Sequence, residues 1–340
     1  MPKWLKRYGL QINQSNLCSE IILPTSKDRT AVCCLSSLNL EYYDTWSKDK
    51  QFISDVAEML DNVLTFFIEN APDAISRAKY SAERERSIGL GALGYHAYLQ
   101  RKGVPFESTA AKSLNIRLFR HIRKKMDEAN LRLAKERGEA PDAKGTGFRF
   151  SHVMAIAPNA SSSIIMGNTS PSIEPWRANA YRQDTLSGAY LNKNKYLDAL
   201  IKEKCEADSS LDYDKIWREI ISNEGSCQSI KCLTDEEKEL YKTSMEIDQR
   251  WVIEHAADRQ QYIDQAQSLN IFFRPDANIK YLHAVHFLAW KSKLKTLYYC
   301  RSEKIGKADK ISRGIERNII KELDMTVLAT SPEECLACEG

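Results

Sequence analysis

Three observations predict an α/β fold for this chain. Runs rich in β-branched, aromatic and cysteine residues recur at 31–43, 152–158, 268–274 and 295–301. Between them lie segments whose apolar residues follow helical spacing. Turn signals punctuate the series, among them Gly138, a Ser-rich stretch after Pro158, and Asn223-Glu224-Gly225-Ser226. Strands alternating with helices indicate a parallel sheet covered by helices.

The elements follow in order. Residues 31–43 read as a buried strand. From Phe52 to Phe67 the apolar positions Phe52, Val56, Met59, Leu60, Val63 and Leu64 predict a helix. A longer helix is expected from about Ser108 to Arg137, with Leu114, Leu118, Ile122 and Met126 at intervals of four and Gly138 as its stop. His152 to Pro158 reads as a short strand entering the Ser-rich turn. Residues 195–265 are polar and helical in character, and a helix from Tyr281 to Leu294 separates the last two strands. No internal repeat or low-complexity segment is present. From Met325 onward apolar periodicity stops and Ser331-Pro332-Glu333-Glu334 intervenes, so a flexible C-terminal tail, 325–340, is expected after a main region of 1–324.

Composition narrows the function classes. A chain of 340 residues can bury a sizeable core. Its 49 Lys and Arg against 46 Asp and Glu contain no basic block, so a nucleic-acid partner is not expected. The opening Met1-Pro2-Lys3-Trp4-Leu5-Lys6-Arg7 leads into no long apolar stretch, so no signal peptide is read there. No apolar run approaches the roughly twenty residues of a membrane helix, and no membrane partner is expected. Nine cysteines without secretory signals read as thiols of a reducing compartment, and the chain is expected to be cytoplasmic.

The chemistry concentrates at Asn16-Leu17-Cys18-Ser19-Glu20. If this segment is extended, alternate side chains share a face, and Asn16, Cys18 and Glu20 converge on one small molecule. An amide, a one-electron sulfur centre and an acid/base suit radical chemistry on a polyol. Ala31-Val32-Cys33-Cys34-Leu35-Ser36 brings two more thiols, which the strand pleat turns to opposite faces. Cys335-Leu336-Ala337-Cys338 forms a terminal dithiol suited to exchange, or half of a zinc site for which the tail offers no second pair. Gly89-Leu90-Gly91-Ala92-Leu93-Gly94 fits a dinucleotide fingerprint, but the polar Ser81–Arg86 precedes it where a hydrophobic strand is required. Its glycines are read as close helix packing instead.

At these residues the sequence resembles the large subunit of class I ribonucleotide reductase. Further matches are Ser87-Ile88-Gly89-Leu90-Gly91, Pro158-Asn159-Ala160-Ser161-Ser162-Ser163, Ile173-Glu174-Pro175, Asp264-Gln265-Ala266-Gln267-Ser268-Leu269-Asn270 and Leu297-Tyr298-Tyr299, with the terminal cysteine pair last. The likeness extends over the second half of the family's large subunit, as expected of one product of a split gene. It implies the second half of a ten-stranded α/β barrel, with a catalytic finger loop and additional helices. A half-barrel has an open edge, so the chain is expected to need the N-terminal fragment of the large subunit.

The resemblance also implies roles. Cys18 would be the thiyl radical that removes the ribose 3′-hydrogen, Glu20 the general base on the 3′-hydroxyl, and Asn16 the residue orienting the sugar. Cys33 would be one member of the reducing dithiol, its partner lying on the other fragment, while Cys34 belongs to the core. Pro158, Asn159, Ala160, Ser161 and Ser162 would hold the substrate diphosphate, although the family often has an acidic residue at position 160. A Ser-rich turn taken alone is mostly a helix cap. Tyr298 and Tyr299 would relay the oxidising equivalent, and Cys335 and Cys338 would re-reduce the internal disulfide, with Cys300 structural. The partners implied are a ribonucleoside diphosphate, a radical-generating small subunit and a thioredoxin- or glutaredoxin-type reductant. No cofactor is expected on this chain itself, the radical coming from a metal cofactor in the small subunit. The helix around Leu282, Val285, Leu288 and Ala289 reads mostly as core, with Trp290 contributing to a groove for the small subunit's tail. Two other readings stand beside this one: a non-catalytic assembly subunit derived by decay, and a free-standing thiol–disulfide oxidoreductase using Cys335 and Cys338.

Overall fold

The structure is a computed structural model that describes residues 8–185 and 188–302. Six strands lie among the described residues: β1 (Cys34–Asn39), β2 (Ile88–Leu93), β3 (Ala180–Thr185), β4 (Gly188–Lys193), β5 (Ile271–Phe273) and β6 (Cys300–Ser302). β1 and β2 run parallel, with Cys34 opposite Ile88 and Asn39 opposite Leu93. Parallel bridges then join Leu90 to Met154 and Ile156 to Gln267. β5 and β6 close the run, again parallel, with Ile271 opposite Cys300. Backbone bonds follow the same path, from Leu90 N to Val153 O (2.9 Å), Ile156 N to Ala266 O (3.1 Å) and Ile271 N to Tyr299 O (2.9 Å). The alternation of strand and helix expected of an α/β protein is therefore present. Among the described residues β1 pairs only with β2 and β6 only with β5, so both margins of the run are unpaired.

Helices cover the run. Phe52–Asn70 is the helix expected there and buries Ile53, Ala57, Leu60 and Leu64, whereas Met59 and Val63 of the expected apolar set are exposed. Thr109–Arg137 begins and ends where the sequence signals it. The Ser108 hydroxyl accepts the Ala111 amide, and Gly138 (φ 86°) returns its N–H to Ala134 O. Leu118, Ile122 and Met126 are fully buried along its inner face. Ile279–Lys291 turns Val285 and Ala289 into the core and packs Leu282 and Leu288 against it, while Trp290 stays 73% exposed.

A second apolar cluster lies in sequence between the bridges at Met154 and Ile156 and strand β5. The antiparallel β3–β4 hairpin and the helices Lys195–Ala207 and Tyr213–Ser222 gather Leu197, Ile201, Ile216, Trp217 and Ile220. The expected break at 223–226 is real, with Glu224 (φ 57°) and Gly225 (φ 83°) in the left-handed region. Sequence patterning did not anticipate the hairpin.

Three expectations need correction. The glycines at 89 and 91 lie in strand β2, not at a helix contact. A Cβ on Gly89 would stand 2.5 Å from Leu35 Cδ2 and 3.1 Å from Cys33 Sγ, and one on Gly91 would stand 2.6 Å from Ala155 O. Neighbouring strands approach β2 too closely for any side chain. The first strand is shorter than 31–43 and not wholly buried, because it is an edge: Leu35 is 41% exposed. Tyr298 and Tyr299 precede β6 instead of lying within it, though their backbones still bond to Leu269 and Ile271. The tail region 325–340 lies outside the described residues.

Candidate active site

Asn16–Glu20 is a turn, not an extended segment. The Ser19 amide bonds back to Asn16 O at 3.1 Å, and Ser19 takes φ 65°, a conformation that costs a non-glycine residue energy and must be held from outside. The Ser19 hydroxyl donates to Leu297 O (2.9 Å), the Asn16 side-chain oxygen accepts the Ile21 amide (3.0 Å), and the Ala266 amide donates to Glu20 O (2.9 Å). Reversal of the chain abolishes the shared face expected for positions 16, 18 and 20. Asn16 is exposed, Cys18 half-buried and Glu20 buried. Ser268 links the Cys18 main chain to the Glu20 carboxylate: its hydroxyl lies in hydrogen-bond reach of both Cys18 O and Glu20 Oε2, the latter at 2.8 Å.

Cys18 Sγ donates to Tyr298 Oη at 3.4 Å, and the Tyr298 and Tyr299 rings stack with centroids 4.0 Å apart, tilted by 39°. Burial pushes the Tyr298 phenol well above its usual range, reinforced by the hydrogen bonds with Cys18 and Tyr299, so it stays protonated. The Arg301 guanidinium lies over the exposed Tyr299 ring, 5.0 Å from its centroid. Asn270 holds the pair in register: its side-chain oxygen accepts the Tyr299 amide (3.0 Å), and its own amide donates to Glu174 Oε1 (3.1 Å). Glu174 is 4% exposed, and burial pushes its carboxyl up to about 7 against the opposing Asn270 contacts.

Cys33 and Cys34 face opposite ways, as the pleat requires. Cys33 packs with Ile21, Leu23 and Ala155, while Cys34 packs against the main core. Gln265 donates to Cys33 Sγ at 3.3 Å. Burial pushes the Cys33 thiol far up, only partly offset by that hydrogen bond. Cys300 is exposed at the start of β6.

Pro158 and Asn159 follow the bridges at Met154 and Ile156, and Ala160, Ser161 and Ser162 open the short helix Ala160–Ile165. Asn159 (φ 56°) spends its side-chain amide on Ala92 O (3.2 Å) and Ala157 O (3.0 Å), which anchors the turn at the C-terminal end of β2. What this turn can offer a ligand is therefore main-chain amides and the Ser161 and Ser162 hydroxyls, both residues being exposed. Cys335 and Cys338 lie outside the described residues. Among the described residues no group of three or more His, Cys, Asp or Glu side chains is placed to hold a metal ion. No helix among them is long and apolar enough to cross a membrane.

Sequence reasoning assigned no part to Gln265, Ser268, Asn270 or Glu174. For Ser268 and Asn270 the signal was present as polar residues in 268–274, a segment that reads as strand, since a buried polar side chain implies a dedicated partner.

Fold and site together define an α/β protein in which a thiol, two stacked phenols and a buried carboxylate meet at one pinned turn. The chain belongs to the ribonucleotide reductase barrel-domain family, whose profile matches residues 3–146 and 140–300. It is 56% identical over 321 residues to the ribonucleoside-diphosphate reductase large subunit of Invertebrate iridescent virus 6, covering 94% of this chain and 33% of that protein. The large subunit of Invertebrate iridescent virus 3 is 49% identical over 340 residues, covering 100% of this chain and 52% of the relative. Among solved structures, the Actinobacillus ureae class Id ribonucleotide reductase alpha subunit superposes with a TM-score of 0.83 at 40% identity, over 91% of this chain and 56% of that one. The chain thus spans between a third and somewhat over half the length of these relatives.

Proposed function

We propose that this chain is the catalytic second half of a class I ribonucleoside-diphosphate reductase large subunit, converting ribonucleoside diphosphates to deoxyribonucleoside diphosphates. The observation that carries the reading is the direct contact from Cys18 Sγ to Tyr298 Oη, continued by the stacked Tyr299 ring. Phenols release an electron and a proton together, so this stack is a short path for a one-electron hole to reach the sulfur. The oxidising equivalent itself is supplied by a metal cofactor in a separate small subunit.

In this proposal the Cys18 thiyl takes the 3′-hydrogen while Glu20 accepts the 3′-hydroxyl proton. The 2′-hydroxyl leaves as water with a proton from the dithiol formed by Cys33 and a cysteine of the complementary fragment. That pair then delivers a hydrogen to C2′ and becomes a disulfide, while Glu20 returns its proton to the 3′-oxygen and Cys18 returns its hydrogen atom to C3′. Asn16 orients the sugar, and the Pro158–Ser162 turn receives the diphosphate. The unpaired margins of the described strand run support a ten-stranded barrel to which the N-terminal half of the large subunit contributes the remaining strands. Exchange of the internal disulfide with Cys335 and Cys338, and their reduction by a thioredoxin- or glutaredoxin-type protein, completes the cycle. An interior built of thiols and phenols fits a reducing, cytoplasmic setting.

The test is product formation by the chain assembled with its N-terminal fragment and small subunit. Cys18→Ser is expected to lower deoxyribonucleoside diphosphate formation by about a thousandfold or more. Substantial turnover by that variant would defeat the mechanism.

A further inference from the structure

We propose that Gln265 is the positioning residue of the Cys33 thiol, presenting a hydrogen-bond donor to the sulfur and tying it to the turn that carries Cys18. Gln265 is fully buried, and each polar atom of its amide is committed. Nε2 donates to Cys33 Sγ (3.3 Å) and to Ile88 O (3.2 Å), while Oε1 accepts the Ile22 amide (3.3 Å). A flipped amide would set oxygen against the Ile88 carbonyl and nitrogen against the Ile22 N–H, two repulsive contacts. The atom facing the sulfur is therefore a donor. One side chain thus joins the segment leaving the Cys18 turn, the cysteine ahead of β1, and the first residue of β2.

The rest of the sulfur's surroundings disfavour a thiolate. Ile21, Leu23 and Ala155 wall it with apolar surface, and Gly89 leaves it just enough room. The charged groups acting on it, Glu20 and Asp264, are carboxylates, and Cys34 is its neighbour. Among these described groups, Gln265 is the one whose contact favours the anion. Thiol–disulfide exchange proceeds through thiolate, so a donor at this place assists the electron-donating step assigned to Cys33 above, on which the purpose, though not the geometry, of this inference rests.

The experiment is read without turnover, so it stands apart from the fate of the reductase assignment. The reduced full chain is treated with iodoacetamide, and alkylation of each cysteine is followed by peptide mass spectrometry. Gln265→Met removes the donor while keeping the length of the side chain, and Gln265→Leu removes it with a shorter apolar one. Losing the donor is expected to slow Cys33 alkylation about tenfold, the effect of one pKa unit, with Cys34 and Cys205 unchanged. A purely structural role predicts the opposite sign, because loosening the strand exposes the half-buried Cys33 and speeds its reaction. Unchanged or faster Cys33 alkylation in a folded variant overturns the proposal. If neither variant folds, the wild type decides through ¹⁵N-glutamine labelling. Alkylating Cys33 must move the Gln265 side-chain amide resonances, and unmoved resonances overturn the proposal.

Discussion

Glu174 shows how one buried carboxyl makes the site sensitive to pH. Its folded value of about 7 lies above the ordinary 4.5, so the native state binds the proton more tightly than the unfolded chain does. Stability from this group is fully present below the ordinary value and is lost as pH rises from about 4.5 to about 7. Glu174→Gln, which mimics the protonated form, is expected to remove that slope. Thermal unfolding of the full chain across this interval checks it, and an equal slope in both proteins would count against the assignment. The affected backbone is the Asn270 amide, one residue's hydrogen bonds away from Tyr299. At this scale the sequence was legible for identity and not for geometry. Cys18, Tyr298 and Glu20 stood out, but a positive φ at Ser19 carries no glycine or asparagine to announce it, and so the turn was read as extended.

Among the elements, buried ion pairs tie the middle of one helix to its neighbours. Asp61, on Phe52–Asn70, is fully buried among Arg86, Arg137 and Arg149. Burial alone would raise its carboxyl, yet the guanidiniums, Arg86 foremost, hold it below the usual range. Asp61→Ala leaves cationic groups without their counter-charge and is expected to cost about 3–5 kcal/mol, read from the shift in denaturant midpoint at constant slope. Element boundaries were well legible where capping chemistry is local, as at Ser108 and Gly138. β2 was not, because Gly89 and Gly91 have low strand propensity and their necessity lies in Leu35, Cys33 and Ala155, residues distant in sequence. The β3–β4 hairpin escaped notice for a related reason: its strands are polar, and its support comes from the separate cluster around Trp217.

At the scale of the whole molecule, the parallel run among the described residues ends in unpaired backbone at β1 and at β6. Such margins recruit other strands. The isolated chain is therefore expected to self-associate, its weight-average mass in sedimentation rising with concentration. Addition of the N-terminal half of a large subunit is expected to replace these species with one defined complex. A monomer indifferent to both concentration and the added half would contradict an incomplete barrel. The α/β class was legible from the alternation of patterns, whereas the number of strands was not, since two of the pairings rest on single bridges at Met154 and Ile156.

Ser268 carries one hydroxyl hydrogen and faces two oxygen acceptors, Cys18 O and Glu20 Oε2. One hydrogen can satisfy only one of them at a time, so the backbone that seats Cys18 and the carboxyl of Glu20 share a single fastening. In the proposed reaction, a proton taken up by Glu20 would free the serine for the carbonyl, and chemistry at one atom would be felt as mechanics at another.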